Sequence, residues 1–203
     1  MQLQLFHSFL YSRVYDLLEV PVPQFRIRSE GVMMIPTETW VLPRPRPDAY
    51  PGGFPLHFEK KLWQLMGEPE KVLHPFGGLA EIGDWVDVNP TTAPTWVGDA
   101  HDMNWIKDDS YDLVILDPPY DDEMSEALYG TGALHYGEYT REAVRVCKSG
   151  GHVAIYHWVM TPRPKGCRLV RRIIILTRVW HRPRVCMIYK KMTAADRREF
   201  EAR

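Results

Sequence analysis

A chain of 203 residues, 45% hydrophobic and 25% charged, can bury one sizeable core and has the composition of a soluble globular domain, which sets aside a fibrous or disordered chain. Its formal net charge of −1 excludes a global basic field, and no apolar run reaches the roughly 18 residues of a membrane span. The three cysteines, Cys147, Cys167 and Cys186, form no Cys-x-x-Cys pair and leave one over if two bridge. With no signal-peptide pattern at the N-terminus, the expectation is a reduced, cytoplasmic protein.

Leu3, Leu5, Phe6, Phe9, Leu10, Val14, Leu17 and Leu18 recur mostly at three- and four-residue spacings, which predicts an amphipathic helix over 2–19, ended by Pro21 and Pro23. Short β-like pieces follow, Phe25 to Arg28 and Val32 to Ile35, across a hairpin-like turn at Ser29-Glu30-Gly31. Residues 43–55, rich in proline and glycine, read as an extended connector. Residues 1–48 are therefore taken as an N-terminal helical and hairpin extension, and 49–203 as the main domain.

A helix is predicted from His57 to Met66, with Phe58, Leu62, Trp63 and Met66 on one side. Glu70 to Leu73 leads into a strand ending His74-Pro75-Phe76-Gly77-Gly78, and glycines straight after a buried strand let backbone approach a ligand closely. A short strand Trp85-Val86-Asp87-Val88 puts an acid at its end, where doubly wound sheets often accept ribose hydroxyls; solvated turn residue or helix cap is the plainer role. Thr95 to His101 forms the next short piece. Residues 121–138 read as a mobile loop, Tyr139 to Cys147 as a helix closed by Lys148 and Gly150-Gly151, and His152 to Trp158 as a strand. Leu169 to Val179 and Val185 to Tyr189 read as an antiparallel pair on a parallel sheet.

The most informative stretch is Tyr111 to Tyr120. Val114-Ile115-Leu116 lacks polar alternation, as a central strand buried on both faces does, and Pro118-Pro119 ends it. Asp117, the Pro118 carbonyl and the Tyr120 ring then stand at the C-terminal edge of a parallel sheet, where open α/β folds bind ligands. An aromatic amine is a poor nucleophile because its lone pair is delocalised; a carboxylate and a carbonyl accepting its two N–H groups would localise that pair. Tyr120 would stack on the ring. The plainer alternative is a buried strand ending in a proline turn.

On these residues the chain resembles the class I S-adenosylmethionine-dependent amino-methyltransferases, the group that includes DNA adenine-N6 and cytosine-N4 enzymes, over roughly residues 50–191. Asp117-Pro118-Pro119-Tyr120 matches their catalytic motif. Phe54-Pro55 resembles the segment packed on the cofactor, and His74-Pro75-Phe76-Gly77-Gly78 the cofactor loop. Asp87-Val88-Asn89 resembles the ribose-binding strand end, and Asp99-Ala100 the turn near the cofactor adenine. The resemblance implies a Rossmann-like methyltransferase fold, α/β and mostly parallel with an antiparallel C-terminal strand, S-adenosyl-L-methionine as cofactor, and adenine N6 in DNA ahead of an RNA base or a small amine as target. His74 stands where the family has an acid. The segments after Gly78 and after Asn89 are too short for the usual helices, and no insertion is large enough for a target-recognition domain, which leaves room for a homodimer or a partner subunit to supply it. A non-catalytic binding module on the same fold is the alternative from another class.

The eight histidines do not pair at metal-ligand spacings, so no metal is expected, and Cys147 reads as core. The seven tryptophans read as packing, except Trp158 and Trp180 near the substrate side. From Arg163 to Lys191 there are ten Lys or Arg and no Asp or Glu. A basic hairpin balanced by acids elsewhere is the bland explanation. The functional one is that Arg163, Lys165, Arg182 and Arg184 hold nucleic-acid phosphates beside the target base.

Overall fold

The computed structural model describes residues 34–45, 53–120, 126, 134–178 and 182–201. The predicted helix over 2–19, the Ser29-Glu30-Gly31 turn, the middle of the connector, most of the 121–138 loop and Trp180 lie outside them. The described elements are β1 (Thr37–Val41), α1 (Phe58–Leu65), β2 (Val72–His74), β3 (Asp84–Asp87), β4 (Trp96–Val97), β5 (Tyr111–Leu116), α2 (Tyr136–Val146), β6 (Cys147–His157), β7 (Cys167–Leu176), β8 (Arg184–Lys191) and α3 (Ala194–Glu201).

One eight-stranded sheet runs in the order β1-β7-β8-β6-β5-β2-β3-β4. Every neighbouring pair is parallel except those made by β8, which is antiparallel to both β6 and β7. From β2 the chain steps outward through β3 and β4, then returns to lay β5 on the other side of β2. That reversal makes a switch point between β2 and β5, at whose C-terminal edge ligands bind in such sheets. The order, with its reversed strand inserted near one edge, is the Rossmann-like methyltransferase arrangement the sequence implied. β1 is an addition, parallel to β7 at the outer edge, pairing Thr37 to Val41 with Arg172 to Leu176. It belongs to the compact unit Ile35–Arg203.

Two apolar layers flank the sheet. On the α1 side Phe58, Leu62, Val72, Leu113, Ile115, Tyr156, Ile173 and Ile188 pack together, and on the α2 side Leu73, Val114, Leu116, Ala143, Val146, Val153, Ile155 and Tyr189 do so. Alternate residues of β2, β5 and β6 go to opposite layers, as a pleated strand requires. Helix α1 stops in a Schellman motif: Gly67, at φ 82, donates to the Gln64 carbonyl and Glu68 to the Trp63 carbonyl. Helix α2 begins at Tyr136, earlier than the sequence predicts, and runs straight into β6 at Cys147 with no glycine stop. Gly150, at φ 85, instead lies in an irregularity between the pairs Tyr111–Cys147 and Leu113–His152.

As the short spacings implied, no helix lies between β2 and β3, and only a 3-10 turn, Pro90–Thr92, between β3 and β4. The strands explain this, since β2 has three residues and β4 two, about 10 Å or less of rise to retrace. Among the described residues no helix is long and apolar enough to cross a membrane.

Candidate cofactor and acceptor site at the sheet switch point

Strand β2 ends in buried His74 and Pro75, and the chain turns through Phe76, Gly77 and Gly78. Gly77 donates to the Val86 carbonyl at 3.0 Å, and a Cβ on Gly77 would stand 2.2 Å from the Cβ of Trp85. Only glycine lets this turn lie against β3. Asp87, at the end of β3, accepts from the Gly78 N–H at 2.9 Å on Oδ2 and from the Asn89 N–H at 2.8 Å on Oδ1. Its carboxylate ties the glycine turn to the strand end, and each oxygen keeps a further lone pair for a ligand. Asn89 caps the 3-10 turn by accepting from Thr91 N–H at 3.0 Å. Leu79 and Val88 expose apolar side chains at this rim.

Asp99 is exposed and Ala100 buried in the turn after β4. Asp99 Oδ1 accepts from the His101 N–H at 2.9 Å and lies 2.6 Å from His101 Nδ1. Because His101 Nε2 accepts from the His135 N–H at 3.1 Å, the ring proton sits on Nδ1 and points to Asp99. His101 thus joins this turn to the residue ahead of α2, with Phe76 and Tyr139 edge-on to its ring. Arg145 of α2 braces the next segment by donating to the Met103 and Ile106 carbonyls and to Asp108, each at 2.7 Å.

Beyond β5, Asp117 lies on the α1 face, where Glu59, Tyr156 and Cys186 are its electrostatic neighbours. Among the described residues none donates a hydrogen bond to it. Burial holds its carboxyl well above the ordinary carboxylate range, with Arg184 pulling it back and Glu59 pushing it further up. Tyr120 is stacked on Trp158, ring centroids 5.2 Å apart and planes 23° apart. Arg184 Nε donates to the Tyr120 hydroxyl at 3.0 Å, and the Arg182 guanidinium lies 5.2 Å from the Trp158 ring centre. Trp158, singled out as an exception among the tryptophans, is in contact with Tyr120.

Beneath the glycine turn lies a group that sequence reasoning missed. Glu59, 7% exposed on α1, accepts from the Glu81 N–H at 3.1 Å and stands 3.4 Å from Nε2 of His74, itself 1% exposed. The approach to His74 is not a hydrogen bond, and neither ring nitrogen of His74 makes a well-formed one among the described residues, the Ile82 backbone being its other polar neighbour. Phe54 closes the side of this pocket, 6.2 Å from the His74 ring and 5.3 Å from Tyr156, over buried Pro55. The spacing Glu59, Leu62, Met66 was the available signal, because it sets the acid on the buried stripe of the helix.

The four basic residues expected to act together are divided. Arg182 and Arg184 stand beside Tyr120, whereas Arg163 and Lys165 precede the other end of β7. Ten residues of strand separate the two pairs, about 30 Å. The rest of the basic run is partly neutralised, Arg168 and Lys190 by Asp196, Arg171 by Glu38, and Lys191 by Asp109. For those four the bland explanation holds.

No protein-family model matches the sequence, and no curated protein matches it. Among solved structures the chain is similar to TrmN from Thermus thermophilus, with TM-score 0.47 and 19% identity over 66% of this chain and 48% of that one. The N-methyltransferase NodS from Bradyrhizobium japonicum gives 0.44 and 10% over 68% and 98%, and a SAM dependent methyltransferase from Aquifex aeolicus 0.43 and 13% over 66% and 90%. The chain spans about half the length of the Thermus thermophilus protein. Strand order, rather than these scores, carries the fold.

Proposed function

We propose that this chain transfers a methyl group from S-adenosyl-L-methionine to an exocyclic amine of a nucleobase, adenine N6 in DNA first. The observation that carries the proposal is the seating of Asp117-Pro118-Pro119-Tyr120 at the switch point, with a desolvated carboxyl that receives no hydrogen bond among the described residues, beside an aromatic stack. The other side of the switch point fits the cofactor. A glycine turn pressed on β3, carboxylates at Asp87 and Asp99, and the exposed apolar Leu79 and Val88 are a donor and packing set suited to ribose, adenine and a methionine chain. When bound, the cofactor supplies an electrophilic methyl group on a sulfonium.

In this proposal Asp117 and the Pro118 carbonyl accept the two N–H bonds of the acceptor amine, and Pro119 holds the backbone stiff between them and Tyr120. Accepting both bonds concentrates the lone pair on nitrogen and aims it. Desolvation strengthens those bonds and keeps water from competing. The Tyr120–Trp158 stack carries an arginine over each ring, Arg184 at 4.8 Å from the Tyr120 centre and Arg182 at 5.2 Å from the Trp158 centre, so a flat base stacks here by displacing one guanidinium, which is then near enough to hold a flanking phosphate. Those two arginines favour a nucleic-acid target over a small amine. A second copy or a partner subunit would supply target recognition, while Val159 and Met160 add exposed apolar surface beside Trp158.

The test is incubation with cofactor labelled in the methyl group against DNA, RNA and nucleoside pools, followed by mass spectrometry of the released nucleosides. Methylated adenine in DNA is expected. Asp117→Ala should abolish turnover and leave cofactor affinity nearly unchanged, the pattern of an interaction used in the transition state. Turnover that survives that change would remove Asp117 from the chemistry.

A further inference from the structure

Three polar side chains that the methyl-transfer proposal does not explain together meet on the α1 face of the sheet. Glu59 comes from the first turn of α1, His74 from the last position of β2, and Asp117 from just beyond β5. Glu59 and His74 are 7% and 1% exposed, 3.4 Å apart, and yet not hydrogen-bonded to each other. Neither ring nitrogen of His74 makes a hydrogen bond of good geometry, with only the Ile82 backbone and Glu59 as polar neighbours among the described residues, an arrangement that a ligand would complete. Their location decides what kind of ligand. Glu59 accepts from the Glu81 N–H in the segment that continues from Gly77 and Gly78, and His74 ends the strand that leads into it, so the pair borders the glycine turn on both sides in sequence.

The charges facing Glu59 are all wrong for an ionised carboxylate. Glu81 and Asp117 are acids, His74 is buried, and of the lysines on its own helix Lys60 is exposed and Lys61 lies over the Trp40 ring. Burial pushes the Glu59 carboxyl up to about 7 and the His74 imidazolium down to about 4. Near neutral pH the pocket therefore lacks a cation, and an incoming one would find a carboxyl ready to ionise.

Resting on the cofactor proposed above, we propose that Glu59 replaces the acid that His74 displaces from the end of β2. It receives a cationic group of the cofactor's methionine part, and it ionises as that cation arrives. The O–H bond of Glu59 breaks, its electron pair stays on the carboxylate, and the proton leaves to solvent. His74 remains neutral and can give one ring N–H and one lone pair to the ligand.

Calorimetry in two buffers of different ionisation heat, phosphate and imidazole, reads the released proton directly. S-adenosylmethionine and S-adenosylhomocysteine are the probes, since the second keeps the ammonium and lacks the sulfonium charge. The full chain should release roughly three quarters of a proton per S-adenosylmethionine at pH 6.5 and about one tenth at pH 8, and affinity should tighten about fivefold from pH 6 to pH 7. Glu59→Gln should release none and lose the pH dependence. Release with S-adenosylmethionine alone assigns Glu59 to the sulfonium, and equal release with both assigns it to the ammonium. Binding whose heat is independent of buffer, or proton release unchanged in Glu59→Gln, overturns the assignment while leaving the methyl-transfer proposal standing. Should neither ligand bind the parent chain, both proposals fall. If Glu59→Gln does not fold, the parent's own pH series decides, because a flat affinity between pH 6 and pH 7 is enough to reject the role.

Discussion

The Glu59–His74 pair leaves a signature in stability that needs no ligand. Glu59 moves from 4.5 to about 7 on folding, so between those values the native state holds a proton the unfolded chain has lost, and stability falls as pH rises. His74 moves from 6.5 to about 4, so between those values the unfolded chain holds a proton the native state lacks, and stability rises with pH. From pH 4.5 to 6.5 the two slopes oppose and the pair contributes almost nothing to the pH dependence. Glu59→Gln removes the falling slope and keeps the rising one. Thermal unfolding of that variant should therefore gain stability steadily from pH 4.5 to 6.5, where the pair leaves the parent nearly flat. If the two curves run parallel, the carboxyl and the imidazole are not shifted in opposite directions and the neutral pairing described above is mistaken. At the same scale, the positions of Asp117 and of the glycine turn at strand ends were legible, because proline and glycine stop the apolar runs before them. Glu59 and His101 were not singled out, since their roles depend on which strand ends meet in space.

Among the elements, β2, β3 and β5 could be read from the sequence because each is an apolar run stopped by proline, glycine or an acid. The two residues of β4 are too few for any period, and β1 lies in a proline-rich neighbourhood that hides its pairing. Gly150-Gly151 misled in a specific way: glycine after a helical pattern signals a stop, but here it fills a β-irregularity and the strand has already begun. Gly137 likewise argued against helix at a position that is helical in α2. The turn joining β2 to β3 depends on close contact, and that gives an element-level prediction. Gly77→Ala would place its methyl 2.2 Å from the Cβ of Trp85, in a β-strand that cannot yield without moving Asp87. It should cost about 1–3 kcal/mol in urea unfolding and weaken cofactor binding together with stability. A variant as stable as the parent would mean that the glycine turn does not press on β3.

Across the whole molecule the charge is close to balanced, but its distribution is not uniform, and the sheet decides which basic residues can cooperate. Because β8 is antiparallel to β6, Arg184 at its start lies at the same sheet edge as His157 and Tyr120. Because β7 is antiparallel to β8, Arg163 and Lys165 lie toward the opposite edge, where Arg163 donates to the Cys167 carbonyl and faces Phe200. A continuous basic stretch in sequence is thus two separate groups in space, and only one adjoins Tyr120. Each phosphate held by a cation releases counterions, so affinity for a single strand should fall by roughly 0.7 log units per log unit of salt for each contact, and for a duplex by roughly 0.9. Binding of single-stranded and duplex DNA and RNA should be measured over a salt series for the parent, for Arg182→Ala with Arg184→Ala, and for Arg163→Ala with Lys165→Ala. The first double variant should flatten the single-strand slope by about 1.4 if both arginines engage phosphates. The second should keep the parent slope, since its residues stand about 30 Å away along a ten-residue strand. A flat slope in the parent would reject a nucleic-acid grip and favour a small amine as acceptor. Equal flattening in both double variants would mean that the bound strand runs the full length of β7, and that the grip is set by the whole basic face rather than by the aromatic stack at the acceptor site.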